Sequence, residues 1–112
     1  PRAIPQKKAM GMILTGRHVP AAEGLEIGFV TELVAEGEAL NAAKRFAAEI
    51  EKCSPVSIRT SLDVVRRGLE HASVEDAMLA EYESVTVLRN SEDMIEGPKA
   101  FAEKRDPNWK GR

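Results

Sequence analysis

Apolar residues recur every three or four positions along most of this 112-residue chain, which is the period of amphipathic α-helices. The clearest apolar stripe follows Ser54-Pro55, where a capping serine and a first-turn proline favour the start of a helix. Its members are Ile58, Leu62, Val65 and Leu69. A second stripe lies in a helix predicted over residues 36–51 and consists of Leu40, Ala43, Ala47 and Ile50. Such stripes need an apolar surface to pack against, in this chain or in a partner chain.

Glycines divide the first third of the chain into short elements. Helices are predicted over residues 5–15, ending at Gly16, and over residues 21–27, ending at Gly28. The segment that follows, residues 29–34 (FVTELV), is apolar and β-branched and is predicted to be the one strand. A single strand is not stable by itself, so we expect this segment to pair with a segment outside this chain or to be merely extended.

Serine caps predict the helices of the last third. Ser73 begins a helix that is expected to continue to Asn90, and Ser91 begins another. Gly97-Pro98 is expected to interrupt or restart that last helix, because proline lacks a donor and restricts the residue before it. The whole chain is therefore predicted to be mainly α, with about five or six helices and one short strand.

Composition limits the functions that are possible. The chain is 43% hydrophobic and 30% charged with a formal net charge of −2, which is typical of a folded soluble protein and argues against nucleic-acid binding. No apolar run approaches the roughly 20 residues that span a bilayer. The single cysteine, Cys53, is consistent with a reducing compartment, and we expect a cytoplasmic location. The chain opens with Pro1 and no initiator methionine, so it is expected to be a processed protein or a piece of a longer one.

The residue patterns predict no metal site and no nucleophile. His18 and His71 are far apart in sequence, lack nearby ligands, and are predicted to lie on the surface. Cys53 is predicted at a helix C-terminus, where the helix dipole disfavours a thiolate, so a structural role at the edge of the core is expected. No phosphate-binding glycine loop occurs. Three carboxylate pairs are interpreted as helix-start or solvated charges: Glu23 with Glu26, Glu81 with Glu83, and Glu92 with Asp93.

The C-terminal run AFAEKRDPNWKGR leaves two interpretations open. Phe101 lies one helical turn before Lys104 and Arg105, so an aromatic ring and cations could hold an adenine and a phosphate. Alternatively, Phe101 anchors the last helix while the cations complement its dipole. The residues alone favour the second interpretation.

The order of several motifs resembles the enoyl-CoA hydratase/isomerase (crotonase) family. These motifs are Thr15-Gly16-Arg17, Ala22-Glu23, Leu25 to Val30, Ser54-Pro55, and a C-terminal signature with Ser91, Glu92, Asp93, Glu96, Gly97, Ala100, Phe101, Glu103, Lys104, Arg105, Pro107, Trp109, Lys110 and Gly111. Pro1-Arg2 resembles the end of the catalytic core of that family. Pro20, Gly24 and Pro98 depart from the family pattern.

The resemblance implies that residues 1–112 are the C-terminal helical region of a crotonase-type (ClpP/crotonase) α/β fold. The spiral catalytic core would precede residue 1 and would carry the oxyanion hole and the catalytic carboxylates, so no catalytic residue is assigned here. In the family, an acyl-CoA thioester reacts through an enolate, and fatty acid metabolism is the implied setting. Coenzyme A would be part of the substrate, and no separate cofactor is expected.

The resemblance also implies two contributions from this region. Phe101 and Lys104 correspond to residues that contact the adenine and 3′-phosphate end of coenzyme A. The helices would cover the acyl pocket and form contacts within a trimer or a dimer of trimers. The chain alone is expected neither to turn over substrate nor to bind coenzyme A tightly. The alternative is a non-enzymatic helical interaction module, whose stripe at Ile58, Leu62, Val65 and Leu69 would bind a partner helix.

Overall fold

The computed structural model describes residues 2–112, so the predicted place of Pro1 at the end of a catalytic core lies outside the described residues. The chain divides into two compact units, Pro1–Arg45 and Phe46–Arg112. Seven helices occur in the described part, more than the predicted five or six. They are α1 (Gln6–Thr15), α2 (Ala21–Ile27), α3 (Ala39–Glu51), α4 (Pro55–Gly68), α5 (Val74–Leu79), α6 (Glu83–Arg89) and α7 (Glu92–Glu103).

The predicted strand over residues 29–34 is wrong, and the described residues contain no strand. Gly28 takes a left-handed conformation with φ 93° at the end of α2. The N–H groups of Phe29 and Val30 then donate to the carbonyl of Gly24, at 3.0 and 3.1 Å. Donors that a β-ladder would need therefore complete the end of a helix instead, in a close turn over Gly24.

The helix predicted from Ser73 to Asn90 breaks into α5 and α6. Ser73 caps α5 as predicted, but Ala80 leaves the helix with ψ 146°. The reason is the packing of Tyr82, whose side chain is buried and whose hydroxyl donates to the Ala77 carbonyl at 2.8 Å. Helix α6 then packs against α4, where Thr60 donates to the Ser84 carbonyl at 3.0 Å.

The predicted interruption at Gly97-Pro98 is also wrong, because α7 runs unbroken from Glu92 to Glu103 with Pro98 inside it. Pro98 cannot donate to the Met94 carbonyl, but both residues lie on the exposed side of the helix, where water can satisfy that carbonyl. The buried side of α7 includes Asp93 and Ala100, on the opposite side from this missing bond.

Most of the predicted apolar stripes are exposed in this chain. Leu62 and Val65 of α4, and Leu69 directly after it, are 49–64% exposed, and the buried residues of that helix are Val56 and Thr60. The stripe of α3 is also exposed, at Leu40 and Ile50. The chain exposes 9109 Å², whereas two separate folded chains of half its mass would together expose about 7,400 Å². Much apolar surface is therefore available for further packing.

Candidate ligand-binding site

The candidate site is the C-terminal end of α7, and it is supported by the segment that follows, residues 105–112, here called the tail. Helix α7 begins at Ser91, whose hydroxyl oxygen accepts the Met94 N–H at 3.2 Å, as the sequence predicted. The tail runs back along α7 towards the N-terminal end of the helix, since the Glu92 N–H donates to the Arg112 carbonyl at 2.8 Å. The tail thus packs on the helix that carries Phe101 and Lys104.

Asp93 is the buried anchor of the tail, with only 3% of its surface exposed. Its carboxylate accepts from the Ser54 hydroxyl at 2.6 Å and from the backbone N–H groups of Lys110 and Gly111 at 2.7 and 3.2 Å. Burial raises the pKa of Asp93, but these three hydrogen bonds outweigh burial and hold the pKa below its usual value. The interpretation of Asp93 as a solvated or merely helix-start charge is therefore incomplete, because the residue joins three segments.

Ser54 extends this junction to α4. Its hydroxyl oxygen accepts the Ser57 N–H at 3.2 Å, so one side chain caps α4 and also donates to Asp93. The Arg59 side chain donates to the Gly111 carbonyl at 3.0 Å. The start of α4, the start of α7 and the tail consequently meet around one carboxylate.

Glu96 makes the second junction between α7 and the tail. Its two carboxylate oxygens accept the two terminal nitrogens of Arg105 at 2.6 and 3.1 Å, a bidentate pair. It also accepts the Asn108 N–H at 2.7 Å. The bonds from Arg105 and then Asn108 lower the pKa of Glu96 to about 2, and the partners Glu96 and Glu103 raise the pKa of Arg105.

Trp109 closes the tail over the middle of the helix. Its indole N–H donates to the Lys52 carbonyl at 2.8 Å. A Cβ added to Gly97 would lie 3.3 Å from the indole ring, so glycine allows this close approach. Gly97 and Trp109 of the family-like signature are thereby explained by packing, whereas Gly111 has a positive φ of 73°, which favours glycine.

Lys104 ends α7 in a left-handed conformation, with φ 52° and ψ 43°. It is the one non-glycine residue with positive φ in residues 2–112. Glycine is the usual residue in this position, and the left-handed conformation costs an L-residue about 1–2 kcal/mol. Lys104 is exposed, and none of the ion pairs within residues 2–112 involves it.

Phe101 lies one turn before Lys104 with 87% of its surface exposed. The alternative in which Phe101 anchors the last helix is therefore wrong for this chain. Arg105 is occupied by Glu96 and Glu103. The end of α7 thus presents an exposed aromatic ring and a free ammonium group, which can stack on a planar base and attract a phosphate.

The other predicted residues do not join this site. His18, His71 and Cys53 are exposed, which confirms the surface prediction for the histidines and corrects the expected core-edge position of the cysteine. Glu23 pairs with Arg17, and this partner lowers the pKa of Glu23. In residues 2–112 no cluster of three metal-ligating side chains occurs, and no helix is long and apolar enough to cross a membrane.

An open groove of about 1050 Å³ lies elsewhere in the second unit, between α4, α5 and α6. Val65, Met78 and Arg89 are among its lining residues, and the Tyr82 hydroxyl is already bonded to a backbone carbonyl.

Sequence reasoning missed the structural role of Asp93 and Glu96. The available signal was their place in the C-terminal signature together with the tail residues that they bind.

Comparison with known proteins gives one consistent family. The family model for enoyl-CoA hydratase/isomerase matches residues 1–112. Carnitinyl-CoA dehydratases of Salmonella paratyphi A and Salmonella agona are 35% identical over 118 residues, which cover all of this chain and 44% of theirs. The chain thus spans less than half the length of these relatives.

Solved structures agree with the sequence relatives. A probable enoyl-CoA hydratase/isomerase from Mycobacterium abscessus is 36% identical with a TM-score of 0.88, over 100% of this chain and 44% of that one. An enoyl-CoA hydratase from Bacillus anthracis is 28% identical with a TM-score of 0.91, over 100% of this chain and 43% of the other. The seven helices therefore form a part of the crotonase fold, as the sequence predicted, and the chain belongs to the enoyl-CoA hydratase/isomerase family.

Proposed function

We propose that this chain is the C-terminal helical region of an acyl-CoA enzyme and that the end of α7 contributes to its coenzyme A site. The observation that carries this proposal is the exposure of both Phe101 and Lys104, three positions apart at the end of one helix. The catalytic groups would lie in a part of the protein outside these 112 residues. A cytoplasmic location and a role in fatty acid metabolism complete the proposal.

The division of labour within the C-terminal signature supports this role. Asp93, Glu96, Arg105 and Trp109 each make contacts within the chain that hold the tail on α7. Phe101 and Lys104 make no comparable side-chain contacts among the described residues, and Lys104 occupies a position where glycine would be more stable. Strained or exposed residues on a well-supported helix are typical of binding sites.

The chemistry of the proposed site is recognition rather than bond making. Phe101 would stack on the adenine ring, and the Lys104 ammonium would pair with a phosphate at the same end of coenzyme A. The reaction itself needs donors aimed at the oxygen of a thioester enolate and carboxylates that move protons. Asp93 cannot serve as such a base, because its carboxylate is buried and already accepts three hydrogen bonds.

We further propose that the exposed apolar faces form subunit contacts in a trimer or a dimer of trimers. Helix α7 exposes Met94 and Ile95, and α4 exposes its predicted stripe. Exposed apolar surface of this extent is typical of chains that pack against a partner. Light scattering of the longer protein tests this point, since a monomer would contradict the proposed assembly.

Binding of coenzyme A is the direct test of the site. We expect the amide signals of residues around α7 to shift in an NMR titration with millimolar coenzyme A, since binding by this region alone is weak. Phe101→Ala and Lys104→Ala should each weaken the shifts. Phe46→Ala and Lys99→Ala are matched controls, because they remove an exposed aromatic ring and an exposed α7 lysine at other positions.

Three outcomes would contradict the proposal. Equal binding by the wild type and Lys104→Ala would remove Lys104 from the site. Turnover of crotonyl-CoA by the purified 112-residue chain would show that catalytic groups lie within it. The absence of binding, combined with saturable binding of a helical peptide to the exposed stripe of α4, would favour the interaction-module alternative.

A further inference from the structure

The left-handed turn at Lys104 depends on the residues that follow it in the chain. The Lys104 N–H donates to the Phe101 carbonyl at 3.2 Å, and the Arg105 N–H donates to the Ala100 carbonyl at 3.1 Å. These two bonds complete the end of α7. They persist only while the residues after Lys104 stay folded back on the helix, because a lysine alone has no preference for this conformation.

One side chain holds those residues back. Glu96, two turns before Lys104 on α7, binds the Arg105 guanidinium through both carboxylate oxygens and also accepts the Asn108 N–H. Its side chain is only 18% exposed. Glu96 therefore fixes the residue directly after Lys104 and a second point three residues farther on, which determines the path of the chain on one side of the turn.

The same contacts determine which cation remains available. The Arg105 guanidinium lies between Glu96 and Glu103, with a distance of 2.6 Å to each carboxylate. Its charge is therefore compensated within the chain. The neighbouring Lys104 ammonium takes part in none of the ion pairs found in residues 2–112, so an anion that approaches the end of α7 meets this ammonium.

We propose that Glu96 is a positioning residue of the coenzyme A site, which holds Lys104 in its left-handed turn and keeps Arg105 from competing for the phosphate. This inference rests on the proposed function of Phe101 and Lys104. Glu96 itself touches no ligand. It favours binding of the ligand phosphate because it holds the conformation of Lys104 and compensates the charge of Arg105.

A carboxylate is needed at this position for a geometric reason. The planar guanidinium of Arg105 offers two parallel donors, and only a carboxylate presents two acceptors to them. A glutamine would place its own NH₂ group against one Arg105 donor. Glu96→Gln therefore loosens the turn and frees Arg105, although it hardly changes the volume of the side chain.

The test compares coenzyme A with dephospho-coenzyme A, which lacks only the 3′-phosphate, in NMR titrations of the 112-residue chain. We expect the wild type to bind coenzyme A about fivefold more tightly, which is the scale of one exposed ion pair. Glu96→Gln combined with Arg105→Gln should reduce this ratio to near one, as Lys104→Ala should, because the double variant loosens the turn without releasing a second cation. Glu92→Gln is the matched control and should keep the ratio, because Glu92 is an α7 carboxylate that pairs with Arg112.

Trp109 fluorescence separates positioning from a general loss of structure, since its indole reports whether the tail is packed. If Glu96→Gln weakens both ligands equally and changes the Trp109 emission, Glu96 is merely structural and the inference fails. A wild-type ratio in the double variant also overturns it. If the double variant does not fold, Arg105→Gln alone removes the bidentate pair without leaving a second cation and should lower the ratio in the same way. A wild type that does not distinguish the two ligands would instead refute the proposed function of Lys104.

Discussion

Replacing Lys104 by glycine should stabilise the chain and weaken ligand binding at the same time. The left-handed conformation of Lys104 costs an L-residue about 1–2 kcal/mol, whereas glycine adopts it freely. Glycine also gives the unfolded chain more conformational freedom, which offsets about 0.4–1 kcal/mol of this gain in stability. The net gain in the free energy of unfolding should be about 0.5–1 kcal/mol.

Lys104→Ala is the reference that isolates the backbone effect. Both variants remove the ammonium group, but alanine keeps the strain of the left-handed turn. We therefore expect Lys104→Gly to melt about 2–8 °C above Lys104→Ala, since 1 kcal/mol corresponds to about 4–8 °C in a unit of this size. Thermal unfolding followed by far-ultraviolet circular dichroism and by Trp109 emission measures the difference.

The binding measurement completes the prediction. Lys104→Gly and Lys104→Ala should bind coenzyme A equally weakly, because neither carries the charge that attracts a phosphate. Equal melting temperatures in the two variants would refute the left-handed turn at Lys104. Wild-type affinity in the more stable glycine variant would refute a binding role for the side chain, and only a structural account of this lysine would remain.

Three further predictions follow from buried or close contacts. Asp93→Ala should lower the free energy of unfolding by about 3 kcal/mol, because it leaves the Ser54 hydroxyl and two tail N–H groups without an acceptor. Urea unfolding measures this loss, and an unchanged Trp109 emission in the variant would contradict the prediction. Acidification should destabilise the packed tail, because the folded-state pKa of Glu96 is depressed to about 2. The stabilisation from Glu96 is full above about pH 4.5 and is lost as the pH falls towards about 2. The Trp109 emission of the wild type should change over this pH range, and that of Glu96→Gln should change less. Gly24→Ala should destabilise the first unit, because the new Cβ would lie 2.7 Å from Val30 and 2.9 Å from Phe29. A wild-type melting temperature by circular dichroism would refute this packing. Gly11→Ala is the control, because a Cβ at that position meets no neighbour.

Local chemistry determined most of the helix boundaries from sequence alone. Ser54, Ser73 and Ser91 each cap a helix through a hydrogen bond to a residue three positions later. Gly16 and Gly28 each end a helix in a left-handed conformation. These signals lie within one helical turn, so they can be read without knowledge of the fold.

The motif resemblance identified the family and the end of α7, but it did not separate structural residues from residues that are free to bind. That separation depends on contacts between residues far apart in sequence. Trp109 donates to Lys52, which lies 57 positions away, and Ser54 donates to Asp93, which lies 39 positions away. No local pattern encodes such pairs.

Tertiary structure also reversed three local predictions for one physical reason. The apolar and β-branched residues of segment 29–34 favour a strand, but their first N–H donors complete the turn over Gly24. Burial of Tyr82 breaks a predicted helix, and the packed tail keeps α7 continuous through Pro98. In these cases a local preference of a few kcal/mol or less is outweighed by burial and by competing hydrogen bonds, which for Phe29, Val30 and Tyr82 run to residues five or six positions earlier. The sequence by itself therefore determined where helices begin and end and which family the chain resembles, whereas the tertiary structure decided which signature residues support the fold and left Phe101 and Lys104 exposed.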